Sequence, residues 1–195
     1  MNSPLEIRTE RLLLRPFTMD DVEDVHKYKS DPEGSPYGVY ESPPPFTRKV
    51  AEELVAMFSN PPDSQGILQV FAVVLQVKVI GEIGLNQHYE DHQNDRVEIV
   101  YSLSRQHWNK GLTTEAARAV MDWAFHTYAI NRMYAWSDPR NIGSWRVLEN
   151  LGMKYEGQLR SHTKWNGTFR DRVYYGILRD ERKTNSPDTQ DSEVL

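Results

Sequence analysis

The sequence predicts an α/β fold of the mixed α+β kind, in which helices flank a mixed sheet. Two patterns lead to this prediction. Short runs rich in Val, Ile and Leu are typical of strands, and longer runs whose apolar residues recur at helical spacing are typical of helices. Their order along the chain is β, α, α, β, β, β, α, β, α, β, β. Such an order is typical of a sheet with helices packed on it.

Each element of that order corresponds to a short segment of sequence. The predicted strands cover 11–17, 69–75, 79–85, 96–103, 132–136, 155–165 and 168–178. The predicted helices cover 18–29, 48–59, 111–128 and 142–151. Thr18 can cap the first helix, and Gly152 is well placed to end the last one. The dipeptide Asn166-Gly167 is a strong hairpin signal, so the last two strands are predicted to be joined by a tight turn.

We expect a single domain over residues 1–182 and a disordered tail over 183–195. A chain of 195 residues suits one domain, and the tail is polar and rich in turn-forming residues. Between the first two helices, residues 30–46 contain several prolines and glycines. They are predicted to form a loop, and this loop is a candidate lid.

The composition excludes several classes of function. The net charge is −5 without a basic stripe, which argues against nucleic-acid binding and mildly favours a cationic acceptor such as an amine. The chain has no cysteine, so disulfides, thiolate zinc sites and thiol catalysis are excluded. It contains neither a signal peptide nor a run of about 18 apolar residues, so no membrane segment is predicted and a cytoplasmic location is expected.

One candidate site lies where the strand at 96–103 passes into the helix at 111–128. Gly111 opens that helix, and Thr113 and Thr114 follow it. Free backbone N–H groups at a helix start point toward one place, and the helix dipole adds positive potential there. The turn is therefore a candidate pyrophosphate site, to which Lys110 can contribute. The alternative is an ordinary turn with a threonine cap. It is not a Walker loop, because the lysine precedes the glycine.

A second candidate site opens the helix at 142–151. Asn141 and Ser144 lie three residues apart at the start of this helix. An asparagine there is a natural N-cap and a serine a common first-turn residue, so the segment taken alone favours capping over chemistry.

Taken together and in order, these segments resemble the motifs of the GNAT (Gcn5-related N-acetyltransferase) superfamily. The motifs are VEIVYSL at 97–103, WNKGLTTEA at 108–116, NIGSWRVLENLGM at 141–153 and the pair Glu156-Gly157. The segment TERLLLRP at 9–16 is similar to the first strand of the ribosomal-protein alanine acetyltransferase branch. The segment DRVYYGILR at 171–179 resembles the last strand of that branch. The resemblance covers roughly residues 5–182.

The resemblance implies a central, mostly antiparallel sheet with a splayed parallel strand pair near 97–103 and 133–137. It also implies acetyl-CoA as co-substrate, with the pantetheine arm in the gap and the pyrophosphate on the turn at 109–114. The implied coenzyme-binding residues are Tyr101, Ser102, Leu103, Asn109, Lys110, Gly111, Leu112, Thr113, Thr114, Asn141 and Ser144. The turn departs from the family pattern Gln/Arg-x-x-Gly-x-Gly/Ala at Trp108 and Thr113, but the backbone donors survive both changes.

The implied reaction is direct attack of a neutral amine on the thioester, which requires proximity, an oxyanion donor and a base. A backbone N–H near Leu103 is the expected oxyanion donor. Glu98 is the candidate base, and the alternative is a strand carboxylate without a catalytic role. Glu82 is a second candidate. Ser144 is the candidate acid, because the helix that carries a catalytic tyrosine in many family members has none here.

The acceptor amine is left open by the sequence. Tyr37 and Tyr40 on the proline-rich loop, together with Glu82, are candidate acceptor-binding residues, although the tyrosines can equally anchor the loop. A protein N-terminus, such as that of a ribosomal protein, and a small-molecule amine are both compatible with the resemblance. A non-catalytic acyl-CoA-binding protein on the same fold is the rival interpretation, and the protein is expected to be a monomer or a homodimer.

No metal is predicted. His88 and His92 lie four residues apart, but Glu90 is one position late for a zinc-protease helix.

Overall fold

The computed structural model describes residues 5–34, 36–37, 45–59, 69–87, 91, 95–165 and 167–184. The strands are β1 (Ile7–Arg8), β2 (Leu12–Arg15), β3 (Gln69–Leu75), β4 (Lys78–Asn86), β5 (Arg96–Leu103), β6 (Arg132–Ser137), β7 (Lys154–Trp165) and β8 (Thr168–Leu178). The helices are α1 (Val22–Lys29), α2 (Arg48–Ser59), α3 (Leu112–Thr127), α4 (Ile142–Asn150) and α5 (Arg179–Thr184). Two single turns of 3₁₀ helix, Met19–Asp21 and Arg105–His107, precede α1 and α3.

The strands described here form one eight-stranded sheet in the order β1-β2-β3-β4-β5-β6-β8-β7. Strands β3, β4 and β5 form an antiparallel meander, and β7 and β8 form a long antiparallel hairpin. Strands β5 and β6 are the parallel pair among them. The prediction of a mixed, mostly antiparallel sheet flanked by helices is therefore confirmed.

The parallel pair separates soon after it begins. Pairing runs from Arg96 with Arg132 to Glu98 with Tyr134. Strand β5 then continues to Leu103 along β4, while β6 continues to Ser137 along β8. Beyond Glu98 and Tyr134 each strand thus pairs with its outer neighbour, and a gap opens between them.

Helices cover both faces of the sheet, because the central strands bury both of their faces. In β3, Phe71 and Val73 pack on the same side as α3 and α4, whereas Val70, Ala72 and Val74 pack on the side of α1 and α2. A near-continuous apolar run is what a strand buried on both faces requires. Consequently, residues that alternate along β5 face two different layers of the protein.

Two elements differ from the sequence prediction. The short strand β1 was not predicted, since its two residues, Ile7 and Arg8, are too few to show a period. The helix α5 was also not predicted, because its sequence RDERKT has no apolar face. It extends to Thr184, past the predicted start of the tail at residue 183; residues 185–195 lie outside the described part of the chain. Among the described helices, none combines the length and apolar character that a membrane span requires.

Arg179 joins the end of the sheet to the end of α3. Its guanidinium donates to the carbonyl oxygens of Phe125 (2.8 Å), Tyr128 (2.5 Å) and Ile130 (2.7 Å). Carbonyls at the C-terminal end of a helix have no partner within the helix, and a cation there also complements the helix dipole. One side chain therefore satisfies several acceptors that the fold leaves open.

We predict that Arg179→Ala lowers the free energy of unfolding by about 3 kcal/mol, because part-buried carbonyls lose a charged donor. Urea denaturation measures this change. The matched control is Lys49→Ala, which removes an exposed ion pair with Glu53 and should cost at most about 0.5 kcal/mol. Equal stability of Arg179→Ala and the wild type would contradict this role for Arg179.

Candidate active site in the gap between the parallel strands

A groove with a volume of about 670 Å³ lies beside the end of β5, past the point where β5 and β6 separate. Its walls come from the end of β5, the turn before α3, the first turns of α4 and part of the proline-rich loop. All the residues implied to bind the coenzyme line this one groove: Tyr101, Ser102, Leu103, Asn109, Lys110, Gly111, Leu112, Thr113, Thr114, Asn141 and Ser144. Three separate stretches of sequence thus converge on one site.

The turn at the start of α3 has the geometry of an anion site. Asn109 and Gly111 have positive φ angles of 58° and 74°, which reverse the chain sharply before the helix. Within the described residues, the backbone N–H groups of Leu112, Thr113 and Thr114 donate no hydrogen bond. Free donors at the positive end of a 16-residue helix attract phosphate. The Nζ of Lys110 donates to the carbonyl of Gln106 (2.9 Å), which holds this cation at the turn.

The N-terminal arm of the chain supports this turn from behind. Glu115, in the first turn of α3, accepts hydrogen bonds from the hydroxyl of Thr9 (2.6 Å) and from the backbone N–H of Arg11 (2.8 Å). The guanidinium of Arg11 pairs with the same carboxylate at 2.6 Å and donates to the carbonyl of Lys110 at 2.9 Å. Burial raises the pKa of Glu115, but these hydrogen bonds outweigh it and the pKa is lowered overall.

Two hydroxyl groups meet at the opposite wall of the groove. The phenol of Tyr101, on β5, donates to the carbonyl of Ser144 (3.0 Å) and lies 3.2 Å from the Ser144 hydroxyl. Burial raises the pKa of Tyr101 well above its usual range, so the phenol keeps its proton at neutral pH. The side chain of Asn141 accepts from the Ser144 N–H at 3.1 Å and so caps α4.

The sequence analysis did not identify the contact between Tyr101 and Ser144, nor the two arginines that line the groove. A tyrosine was sought on α4, whereas the one that reaches Ser144 comes from β5. Arg140 and Arg146 also line the groove. Surface arginines carry no periodic signal in a sequence. Only the structure shows that the loop between β6 and α4, which carries Arg140, lines the groove.

Arg140 is held in place by a buried carboxylate. Asp138 is 3% exposed and accepts from the backbone N–H, the Nε and the Nη2 of Arg140 at 2.7–3.0 Å. The fully buried Arg172 lies 3.8 Å from the same carboxylate and stacks on Trp136. The hydrogen bonds from Arg140 lower the pKa of Asp138. The guanidinium of Arg140 in turn lies 5.4 Å from the ring centre of Tyr37.

The proline-rich loop contributes the remaining wall of the groove through Gly34, Pro36 and Tyr37. Tyr40, the other predicted acceptor-binding tyrosine, lies outside the described residues. At the start of the loop, Asp31 and Glu33 pair with Arg105 in the 3₁₀ turn that precedes the anion site. The described residues of the loop thus contact both sides of the groove, and a lid stays a prediction.

The two candidate bases lie on the other face of the sheet. Glu98 is 2% exposed, and its carboxylate accepts from the side chain of Asn86 at 3.3 Å. Glu98 lies in the last residue pair before β5 and β6 separate. The pKa of Tyr134 is raised mainly by burial, then by its hydrogen bond to Asp91, and then by the charge of Glu98. Glu82 forms an ion pair with Lys29 and accepts from the phenol of Tyr28.

The described residues contain no cluster of three side chains that could hold a metal ion, and His88 and His92 lie outside them.

The fold and the groove together define a class of protein: one with a splayed mixed sheet and an open helix start beside the gap. The sequence profile of the acetyltransferase (GNAT) domain matches residues 11–154. The chain therefore belongs to the GNAT acetyltransferase family, as the sequence motifs had indicated.

Named relatives agree with this assignment. The chain is 34% identical over 176 residues to an uncharacterised N-acetyltransferase, p20, of Bacillus licheniformis, covering 89% of this chain and 96% of the relative. A GNAT-family acetyltransferase structure from Bacillus anthracis superposes with a TM-score of 0.76 at 29% identity, over 90% of this chain and 99% of that one. The ribosomal-protein-S5-alanine acetyltransferase of Vibrio fischeri shares the fold, with a TM-score of 0.73 at 22% identity over 90% and 97% of the two chains.

We predict that Asp138→Asn destabilises the protein by about 3 kcal/mol at pH 7, since it leaves the buried Arg172 without a carboxylate nearby and removes the charged partner of Arg140. The folded-state pKa of Asp138 lies below its usual value, so this stabilisation is present above about pH 4 and is lost as the pH falls through the folded-state pKa. Urea denaturation of both proteins at pH 7, 5 and 3 tests this. A difference in stability that stays constant down to pH 3 would contradict it.

Proposed function

We propose that the protein transfers the acetyl group of acetyl-CoA to a primary amine, with the groove between β5 and β6 as the coenzyme site. The observation that carries the proposal is the convergence of three distant segments on one groove, with free helix N–H groups at one end. Membership of the GNAT family supports the reaction class. The groove dimensions support a long ligand, because 670 Å³ is within the range of sites for small molecules and cofactors.

The open edge of β5 is proposed to hold the pantetheine arm. Beyond Glu98 this strand has β4 on one side, while within the described residues no strand pairs with its other side. Backbone groups on a free strand edge require hydrogen-bond partners, and the amides of pantetheine are suitable ones. The pyrophosphate then reaches the N–H groups of Leu112, Thr113 and Thr114, with Lys110 and Arg146 as nearby cations.

The proposed chemistry is direct attack of the amine on the thioester. The amine forms the new C–N bond, the tetrahedral oxyanion collapses, and the C–S bond breaks to release the CoA thiolate. The proton of the attacking amine passes to the base. Ser144 is proposed to give its proton to the leaving sulfur and to regain one from solvent. Tyr101 positions that serine by donating to its carbonyl.

Glu98 is proposed as the base, in preference to Glu82. The coenzyme would fill the gap from the face of α3 and α4, so the acceptor must approach the acyl carbon from the other face, where both carboxylates lie. Glu98 lies in the last residue pair before the strands separate, at the end of the gap away from the turn before α3. Glu82 is already engaged by the ammonium of Lys29 and the phenol of Tyr28.

The acceptor is proposed to be a primary amine on a protein N-terminus or on a small molecule. Tyr37, at the groove, and Glu82, on the acceptor face, are proposed to contribute to its binding site. A panel containing an alanine-initiated peptide, a polyamine, an amino sugar and an amino acid distinguishes the classes, with release of free CoA thiol as the readout.

We predict that acetyl-CoA at about a hundred times its dissociation constant stabilises the wild type by about 2.7 kcal/mol. For a domain of this size, that raises the melting temperature by roughly 5–10 °C. Thr113→Glu should abolish most of this rise, because its carboxylate occupies the anion turn. Thr127→Glu, the same change at the other end of α3, is the control and should retain it. No rise with folded wild-type protein would refute the proposed coenzyme.

We predict that Ser144→Ala and Glu98→Gln each lower kcat by about a hundredfold at pH 7 with little change in acetyl-CoA affinity, since each removes a proton-transfer group. The deficit of Glu98→Gln should shrink at high pH, where the amine loses its proton without help. Glu53→Gln, on the exposed face of α2, is the control. Full activity of either active-site variant would remove that residue from the mechanism. Coenzyme binding without turnover of any amine would instead identify an acyl-CoA-binding protein.

A further inference from the structure

The side chain of Arg11, on the N-terminal arm, contacts both the anion turn and the first turn of α3. Its guanidinium makes two kinds of contact, with the carboxylate of Glu115 and with the carbonyl of Lys110. The side chain of Glu115 is 15% exposed, whereas that of Arg11 is 43% exposed. The arginine therefore covers the carboxylate from the solvent side.

The carboxylate of Glu115 presents an electrostatic problem for an anion site. It lies in the first turn of α3, next to the N–H groups of Leu112, Thr113 and Thr114. An acidic side chain at this position interacts favourably with the helix dipole and repels a bound phosphate. In this protein Arg11 neutralises Glu115, and Thr9 holds one of its oxygens, so the positive end of the helix stays available to a ligand.

The hydrogen bond from Arg11 to Lys110 also sets the direction of a backbone donor. In a trans peptide, the carbonyl and the following N–H point in opposite directions. The carbonyl of Lys110 points toward Arg11, so the N–H of Gly111 points away from it. Both Lys110 and Gly111 line the groove. Fixing this one peptide therefore holds an N–H in the direction that an anion at the turn requires.

We infer that Arg11 and Glu115 are positioning residues for the phosphate end of the coenzyme. They would not touch the ligand. Arg11 would act by cancelling the charge of Glu115 and by orienting the peptide between Lys110 and Gly111. The inference rests on the proposed binding of CoA in this groove, and it restricts the effect of both residues to the pyrophosphate.

The test compares two probes that differ in the phosphate end. Acetyl-CoA carries the pyrophosphate and the nucleotide, whereas S-acetylpantetheine lacks both and would occupy only the gap between the strands. Arg11→Gln should weaken acetyl-CoA binding about fivefold, since an unpaired charge beside a helix start is worth about 1 kcal/mol. The same variant should leave the affinity for S-acetylpantetheine unchanged. Calorimetry measures the first ligand and saturation-transfer NMR the weaker second one.

Further variants separate the two effects of Arg11. In the double variant Arg11→Gln/Glu115→Gln the uncovered charge is gone, so CoA affinity should recover in part. Arg11→Lys keeps the charge but cannot pair with the carboxylate and the carbonyl in the same way, so its affinity should be intermediate. Arg8→Gln, on the same arm and paired only with the exposed Glu6 among the described residues, is the control and should bind both probes like the wild type.

The outcomes distinguish this inference from the proposed function. Wild-type protein that binds no CoA overturns both. Wild-type protein that binds CoA, with Arg11→Gln binding it equally well, overturns the positioning role alone. An equal loss of affinity for both probes also overturns it, because it would show a general distortion of the groove. If Arg11→Gln does not fold, Arg11→Lys and Glu115→Gln provide the same comparison.

Discussion

The separation of β5 from β6 after Glu98 and Tyr134 is the constraint on which the rest of the site depends. A sheet normally leaves no room between neighbouring strands, because their backbones lie about 4.8 Å apart. Here each strand remains paired with its outer neighbour, so the sheet opens in its interior without losing its hydrogen bonds on the flanks. The gap gives the protein a free strand edge that is enclosed by protein on both sides rather than exposed at the border of the sheet.

The groove that results has two chemically different ends. At one end, backbone N–H groups and cations create a positive electrostatic potential at the start of α3. At the other, Tyr101 and Ser144 present hydroxyl groups beside the gap. The proposed coenzyme is likewise anionic at one end and extended in its middle. Family membership and the geometry of the groove therefore point to the same type of ligand by independent arguments.

The two faces of the sheet carry different parts of the proposed mechanism. Tyr101 and Leu103 belong to the face covered by α3 and α4, whereas Glu98 and Ser102 alternate onto the face covered by α1 and α2. The strand period of two places Glu98, the proposed base, on the opposite face from Tyr101, which contacts Ser144, the proposed acid. On this second face, the ammonium of Lys29 forms an ion pair with Glu82 and lies 3.4 Å from the hydroxyl of Ser102.

Local patterns in the sequence determined the secondary structure and the family. Apolar periodicity identified every strand except β1 and every helix except α5, because these two are short and carry no apolar face. The motif that includes Gly111 pointed to the anion turn, since backbone conformation and a helix start are local properties. Asn141 also caps its own helix, as its residue type suggests.

Contacts between distant segments were decided only by the tertiary structure. Tyr101 meets Ser144, and Arg11 meets Glu115, across more than forty and a hundred positions respectively. No local pattern encodes such a pair, because a hydroxyl or a guanidinium has many potential partners until the chain is folded. The sequence by itself thus determined which residues could bind an anion or move a proton. The packing of the arm, the strands and α4 around one gap decided which of them act together.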